Sequence, residues 1–229
     1  MALKNTAQAK KYRAIIFDFD GTLMDSIPIV SKAWQDSILK NFGKKVPIGK
    51  IKRELHGSAE DAYVRLGKLY PGALHPEKFA KHMEDKEEFI NENRHKGKFL
   101  PGALPILRKC KKLGVKTALV TSAKKEWIFA YPQFGEVFTL FDVFVFSDTI
   151  DEQKPHPEPF LFAARAMGVR PEETVSIGDG TSDAVGSVSA GMDFFGITTG
   201  TTPASELKKA GAKAVYSDIS EFARKEKPF

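Results

Sequence analysis

Two aspartates two residues apart, in Asp18-Phe19-Asp20-Gly21-Thr22, follow directly on the apolar run Ala14-Ile15-Ile16-Phe17. A second run, Thr117-Ala118-Leu119-Val120, leads into Thr121-Ser122. A later one, Thr174-Val175-Ser176-Ile177, leads into Gly178-Asp179-Gly180-Thr181-Ser182-Asp183. Lys154, in Lys154-Pro155-His156-Pro157, comes shortly after Val143-Phe144-Val145-Phe146. Carboxylates gathered in one place repel one another unless a cation or a proton relieves them. Oxygen-only ligands favour a hard ion such as Mg²⁺ over zinc. A carboxylate beside such an ion can attack phosphorus covalently. A second carboxyl two residues on can pass a proton to the leaving oxygen. A lysine and a hydroxyl can hold the charge of the transferring group.

These groups can meet only if the runs before them are neighbouring strands. Six runs qualify: the four above, Phe194-Phe195-Gly196-Ile197 and Ala214-Val215-Tyr216. Each is too short for a helix and apolar on both faces, as buried parallel strands are. Helix-like stretches lie between them, at Leu104 to Leu113, Phe160 to Met167, Ser182 to Ala190 and Ala204 to Ala210. Several stop on a glycine (Gly114, Gly168, Gly191, Gly211). Alternating strands and helices predict an α/β fold with a doubly wound, Rossmann-like parallel sheet. Ligands of such sheets bind beyond the carboxyl ends of the strands, where each candidate group stands.

Residues 26–98 break the alternation. They contain no strand run and read as amphipathic helices such as Ile29 to Phe42, Ala59 to Tyr70 and Pro76 to Asn93. The expected organisation is a discontinuous catalytic core, 1–24 and 99–229, with an inserted all-α cap domain at 25–98.

The four motifs together resemble those of the haloacid dehalogenase superfamily. Its phosphatases carry an Asp-x-Asp-x-Thr loop, a strand-end Thr or Ser, a Lys and a Gly-Asp-x-x-x-Asp loop. They match Asp18/Asp20/Thr22, Thr121, Lys154 and Asp179/Asp183 here, in that order. The opening Phe17-Asp18-Phe19-Asp20-Gly21-Thr22-Leu23-Met24-Asp25-Ser26 is similar to the phosphoglycolate phosphatase and β-phosphoglucomutase branch, which inserts a helical cap at this point. The resemblance implies Asp18 as nucleophile and metal ligand. It implies Asp20 as general acid/base and, through its backbone carbonyl, a ligand of Mg²⁺. Thr121 and Lys154 would bind the phosphoryl group, with Ser122 beside them and Thr22 in support. Asp179 would be a metal ligand, and Asp183 a ligand through water or a partner of Lys154. One departure is Tyr131-Pro132-Gln133-Phe134-Gly135, where Pro132 interrupts the helix usual after the second motif.

Competing assignments, of which a β-phosphoglucomutase-type mutase is the main alternative and a phosphonatase or non-catalytic binding protein lesser ones, are weighed at particular residues. A calcium loop starting at Asp18 would need glutamate at its twelfth position, which is Ile29. The five histidines show no metal-ligand spacing and read as non-catalytic. A dehalogenase lacks the second aspartate, here Asp20. A phosphonatase places a lysine in the cap loop, and Leu55-His56-Gly57-Ser58-Ala59-Glu60-Asp61 has none, although Lys50 and Lys52 lie upstream. A β-phosphoglucomutase places an arginine after the cap glycine, where this chain has Ala59 and Glu60. Arg53 keeps that alternative open. A non-catalytic binding protein would be missing a nucleophile or ligand, and nothing is missing.

Bulk properties fit a globular enzyme. Of 229 residues, 42% are hydrophobic and 28% charged, and no apolar run reaches the ~20 residues of a membrane span. The net charge of +6 lies in the first 24 residues and in 25–98, which hold 15 basic and 11 acidic side chains. No basic block is interleaved with aromatics, which argues against a nucleic-acid partner. The single cysteine, Cys110, and the absence of a secretory signal point to a cytoplasmic setting. The expected partner is a small phosphorylated metabolite, the expected cofactor Mg²⁺, and the expected assembly a monomer or homodimer.

Overall fold

A computed structural model describes residues 12–55, 59–71 and 75–228. The six apolar runs form one parallel sheet: β1 (Ala14–Phe17), β2 (Lys116–Val120), β3 (Val143–Val145), β4 (Thr174–Gly178), β5 (Asp193–Ile197) and β6 (Ala214–Tyr216). Their order is β3-β2-β1-β4-β5-β6. The direction of winding therefore reverses between β1 and β4, the point where an open α/β sheet opens a crevice for ligand. In β1, Ile15 and Phe17 enter a cluster with Leu107, Phe134 and Phe222, while Ala14 and Ile16 enter one with Phe160, Ala163 and Met167. Both faces are covered, so alternation of polarity along the strand is neither needed nor found.

Helices α5 (Ala103–Leu113), α6 (Lys125–Phe129), α7 (Glu158–Met167), α8 (Thr181–Ser189), α9 (Ala204–Lys209) and α10 (Ile219–Glu226) belong to this part of the chain. Cys110 is buried on α5, and burial pushes its thiol up to about 12, which keeps it inert. The chain after β2 goes helical only as far as Phe129. It continues through Pro132–Glu136 as 3-10 turns that bring Phe134 into the core beside Phe19, Phe141 and Phe144. Pro132 opens that segment, so no helix interior is asked to hold it.

The insertion between β1 and α5 is all-α: α1 (Ile27–Phe42), α2 (Ile48–Glu54), α3 (Ala59–Leu69) and α4 (Phe79–Asn93). It has its own apolar centre, in which Trp34, Ile38, Ile51, Tyr63 and Leu66 are buried. The two connecting segments run side by side. Leu100 N donates to Leu23 O at 2.8 Å, Met24 bridges Phe99, and Asp25 N donates to Lys98 O at 2.8 Å.

His82 is fully buried in the cap against Trp34 and Tyr63. The Ser37 hydroxyl donates to the His82 carbonyl at 3.0 Å, which leaves Nδ1 to donate to Ser37 Oγ at 2.8 Å. Nε2 has no hydrogen-bond partner among the described residues. Desolvation, reinforced by the Lys86 charge and opposed by Asp85, lowers the imidazole to about 4. The unfolded chain, titrating near ~6.5, binds this proton first as pH falls. The contribution is therefore complete above about pH 6.5 and is lost between there and about pH 4, on the order of 3 kcal/mol in all. Denaturant midpoints measured over this window should fall with pH, and His82→Phe should flatten the slope. An unchanged slope in that variant would assign the effect elsewhere.

Candidate active site

The three adjacent central strands, β2, β1 and β4, each end on a candidate group. Asp18 follows β1, with its amide donating to Ile177 O at 3.0 Å. The chain then folds tightly back: the Leu23 and Met24 amides both donate to Phe19 O, and Gly21 N donates to Met24 O. Gly21 sits at φ 75°, and a Cβ there would lie 2.8 Å from Asp179 Oδ2. The turn thus needs glycine for its backbone and for the carboxylate it rests on. Thr121 follows β2, buried, with Oγ1 accepting the Ala123 amide at 3.1 Å. Ser122, next along, is exposed. Asp179 and Asp183 flank the start of α8. The Gly180 amide donates to Asp183 Oδ2 at 3.1 Å, and Thr22 Oγ1 donates to Asp179 Oδ1 at 3.1 Å.

Lys154 reaches into the middle of this group. Its Nζ donates to Asp18 Oδ1 at 2.8 Å, to Val120 O at 2.8 Å and to Asp183 Oδ1 at 2.5 Å. All three ammonium protons are spent, and its side chain is 3% exposed. The structure therefore joins Asp18, Lys154 and Asp183 by hydrogen bonds, sets the Thr22–Asp179 pair close beside them, and places Thr121 at the adjacent strand end. The Asp20 carboxyl stands apart from the metal-competent oxygens.

Carboxylate oxygens of Asp18, Asp179 and Asp183 lie within 4.8 Å of one another. Three acids against one ammonium leave the pocket negative. Burial, together with the charges of Asp18 and Asp183, raises Asp179 well above the usual carboxylate range. Burial and the Asp18 charge hold Asp183 up at about 6 against the pull of Lys154. Oxygen donors under such mutual repulsion suit a hard divalent cation, which would relieve what the lysine leaves unbalanced. The Asp20 carboxyl is likewise raised to about 6, first by burial and then by the charge of Asp18.

Two contributors were missing from the sequence reading. Arg94, 4% exposed, lies just before the return linker. It donates to Trp127 O at 2.9 Å, stacks on Tyr131 and lends positive potential to Asp20. No sequence signal marks it. The loop after β5 is the other. Thr199 Oγ1 donates to Gly21 O at 2.6 Å, and a Cβ on Gly200 would fall 1.6 Å from Asp179 Oδ2. The strand-end logic that singled out the other motifs applies equally to Ile197-Thr198-Thr199-Gly200. In the cap loop, His56, Gly57 and Ser58 lie outside the described residues, as do the side chains of Glu60 and Asp61.

Gly200→Ala should therefore displace the Asp179 carboxylate while leaving the sheet intact. Turnover should fall by roughly a hundredfold, the scale of a ~1 Å misplacement near the chemistry, with unchanged circular dichroism. Undiminished turnover would show that the loop yields instead.

A parallel sheet with acids and a lysine at its switch point, interrupted after β1 by an all-α insertion, defines a doubly wound α/β enzyme core with a helical cap. Residues 15–197 match the haloacid dehalogenase-like hydrolases, and the chain belongs to that family. It is 29% identical over 213 residues to the phosphoglycolate phosphatase of Psychrobacter arcticus, covering 90% of this chain and 92% of that one. Phosphoglycolate phosphatase 1 of Pseudomonas aeruginosa is 28% identical over 192 residues, 82% of this chain and 70% of its own. Among solved structures, a Thermotoga maritima protein assigned as a β-phosphoglucomutase superposes with a TM-score of 0.71 at 27% identity, covering 94% of this chain and 98% of that one. No described helix is long and apolar enough to cross a membrane.

Proposed function

We propose that this chain is a Mg²⁺-dependent phosphatase of small phosphomonoesters that works through an aspartyl-phosphate on Asp18. The observation that carries the reading is the Lys154 ammonium held between Asp18 and Asp183, with Asp179 alongside, at the switch point of the sheet. The core would comprise 1–24 and 99–229, the cap 25–98, and the setting would be the cytoplasm.

Asp18, Asp179 and the backbone carbonyl of Asp20 would hold Mg²⁺, with Asp183 as a ligand through water or as the partner of Lys154. The ion would supply charge neutralisation for the incoming phosphate. An Asp18 carboxylate oxygen attacks phosphorus, forming the acyl phosphate as the ester bond breaks. Asp20 gives its proton to the departing oxygen. Asp20, now ionised, takes a proton from water, which attacks phosphorus and frees Asp18 and inorganic phosphate. Lys154 orients Asp18 and then, exchanging that hydrogen bond for one to a phosphoryl oxygen, binds the transferring group together with the Thr121 hydroxyl. The anchoring of Asp179 falls to Thr22, and Ser122, next to Thr121 and exposed, would assist from the solvent side.

Relatives named phosphoglycolate phosphatase make phosphoglycolate the first substrate to try. The mutase alternative keeps two supports, the Thermotoga maritima likeness and Arg53. One assay separates them. Incubation with phosphoglycolate should release inorganic phosphate. Incubation with β-glucose 1-phosphate and a trace of the bisphosphate should give no glucose 6-phosphate. Glucose 6-phosphate appearing faster than free phosphate would overturn the phosphatase assignment.

A further inference from the structure

Tyr131 and Phe134, at the 3-10 segment that follows α6, touch two parts of the chain that are distant in sequence. On one side is Phe19, the residue between the two loop aspartates. Its ring is fully buried, 5.4 Å from that of Tyr131 and 5.8 Å from that of Phe134. On the other side is the return linker of the cap. Gln133 Nε2 donates to His95 O at 2.9 Å, and Arg94 Nη1 donates to Trp127 O at 2.9 Å. The Arg94 guanidinium lies 5.2 Å from the centre of the Tyr131 ring. Gly97 presses on the same ring: a Cβ there would stand 2.9 Å from Tyr131 Cε1.

The backbone of Gly97, at φ −60° and ψ 145°, is one that any residue adopts. Glycine is required there by the Tyr131 ring alone. That ring is buried and held by Arg94 and Phe19. Close-packed interiors pass a displacement on rather than absorb it. The linker cannot simply lift away, because Arg94 and Gln133 fasten it to the segment on both sides of Tyr131. A shift at Gly97 therefore leads through Tyr131 to Phe19 and the aspartates beside it.

We propose that Tyr131 is a positioning residue for the reaction, passing the position of the cap's return linker through Phe19 to Asp18 and Asp20. The path of contacts stands by itself, and its effect on the reaction rests on the phosphatase reading. When the linker moves, the loop that carries nucleophile and proton donor moves with it. Thr121, Lys154 and Asp179 are held by other parts of the sheet edge and stay in place.

Gly97→Ala drives a wedge into this path, since the nearest neighbours of the added methyl are the Tyr131 ring and the linker's own Arg94 carbonyl. Phosphoglycolate leaves as an alkoxide and needs the Asp20 proton, whereas p-nitrophenyl phosphate leaves as a stable phenolate and does not. The ratio of kcat for the first to kcat for the second cancels any loss of folded protein. Gly97→Ala should lower that ratio by roughly tenfold, part of the hundredfold that a ~1 Å misplacement brings. In Tyr131→Ala, where the methyl has room, adding Gly97→Ala should leave the ratio where it was. In Tyr131→Phe, which keeps the ring, it should act in full. Should Tyr131→Ala not fold, Tyr131→Val also removes the ring and takes its place. An unchanged ratio in Gly97→Ala, or an equal fall with and without the ring, would overturn the proposal. Hydrogen exchange gives a reading that needs no turnover. Phe19 O accepts the Leu23 and Met24 amides at 2.8 and 2.9 Å. Gly97→Ala should speed exchange of these two amides several-fold when the ring is present and not when it is absent, with β4 unaffected. If the intact protein hydrolyses neither substrate, the phosphatase reading fails and exchange alone decides. Exchange unmoved by Gly97→Ala, or moved equally without the ring, overturns the path.

Discussion

Asp18→Asn is expected to abolish phosphate release, by at least ~10⁴-fold, the scale on which loss of a covalent nucleophile acts. An amide oxygen is a poor nucleophile, and attack by it leads to no stable acyl phosphate. The fold should survive. Lys154 keeps Asp183 and the Val120 carbonyl as acceptors, and the pocket loses one of three mutually repelling acids. Unchanged thermal unfolding would show that the loss is chemical. Asp20→Asn supplies the contrast. Substrates with good leaving groups need no proton from residue 20, so the variant should still be phosphorylated. It should then release phosphate slowly, because no base activates water. Mass spectrometry of quenched reactions should find the phosphoryl group on Asp20→Asn and never on Asp18→Asn. Substantial turnover by Asp18→Asn would remove covalent catalysis from this site.

Chelation should be nearly as severe. With EDTA, turnover should drop to background, and Mg²⁺ should restore it. Burial and like charge already push Asp179 and Asp183 toward their protonated forms. A dication would bind best where it replaces those protons, so affinity should strengthen as pH rises through this range. Ca²⁺ should restore little, since its longer and looser coordination would shift Asp18 relative to phosphorus. A readout independent of activity is available. Mg²⁺ bound only by the folded protein raises its melting temperature in proportion to the logarithm of concentration. Asp179→Asn should blunt that rise. Full turnover in metal-free buffer, or a melting temperature indifferent to Mg²⁺, would count against the site.

The central strands β1 and β4 were legible because they are buried throughout and carry no charged residue, and the half-buried edge strands β3 and β6 because they too are short apolar runs. The helices without a stretch of their own in the sequence are α2, the five-residue α6 and α10. In α2 only Ile51 is buried, so its seven residues carry no periodic signal. The shorter apolar face of α10, Ile219 and Phe222, is hidden among charges, and its cap is the Asp218 carboxylate accepting the Glu221 amide at 2.8 Å. In the site, the strand-end aspartates stood out because a strand fixes where its last residue points. Lys154 could be placed in a loop but not at a distance: its contact with the Val120 carbonyl depends on how 147–157 folds back over β2. Arg94 was beyond reach altogether, since a lone arginine after a helix of charged residues looks solvated in sequence and is buried in fact.

The chain leaves the core at Leu23–Asp25 and returns at Lys98–Leu100 with both segments hydrogen-bonded to each other. From the sheet's side, everything between is equivalent to a tight hairpin. Loop closure then adds little, since each doubling of an enclosed loop costs only ~0.6 kcal/mol. A different insertion of another length could occupy the same doorway without disturbing the register of β1 against β2 and β4. Insertion and catalytic floor are thereby separable in inheritance: residues beyond the doorway can change while the carboxylates beneath it keep their places.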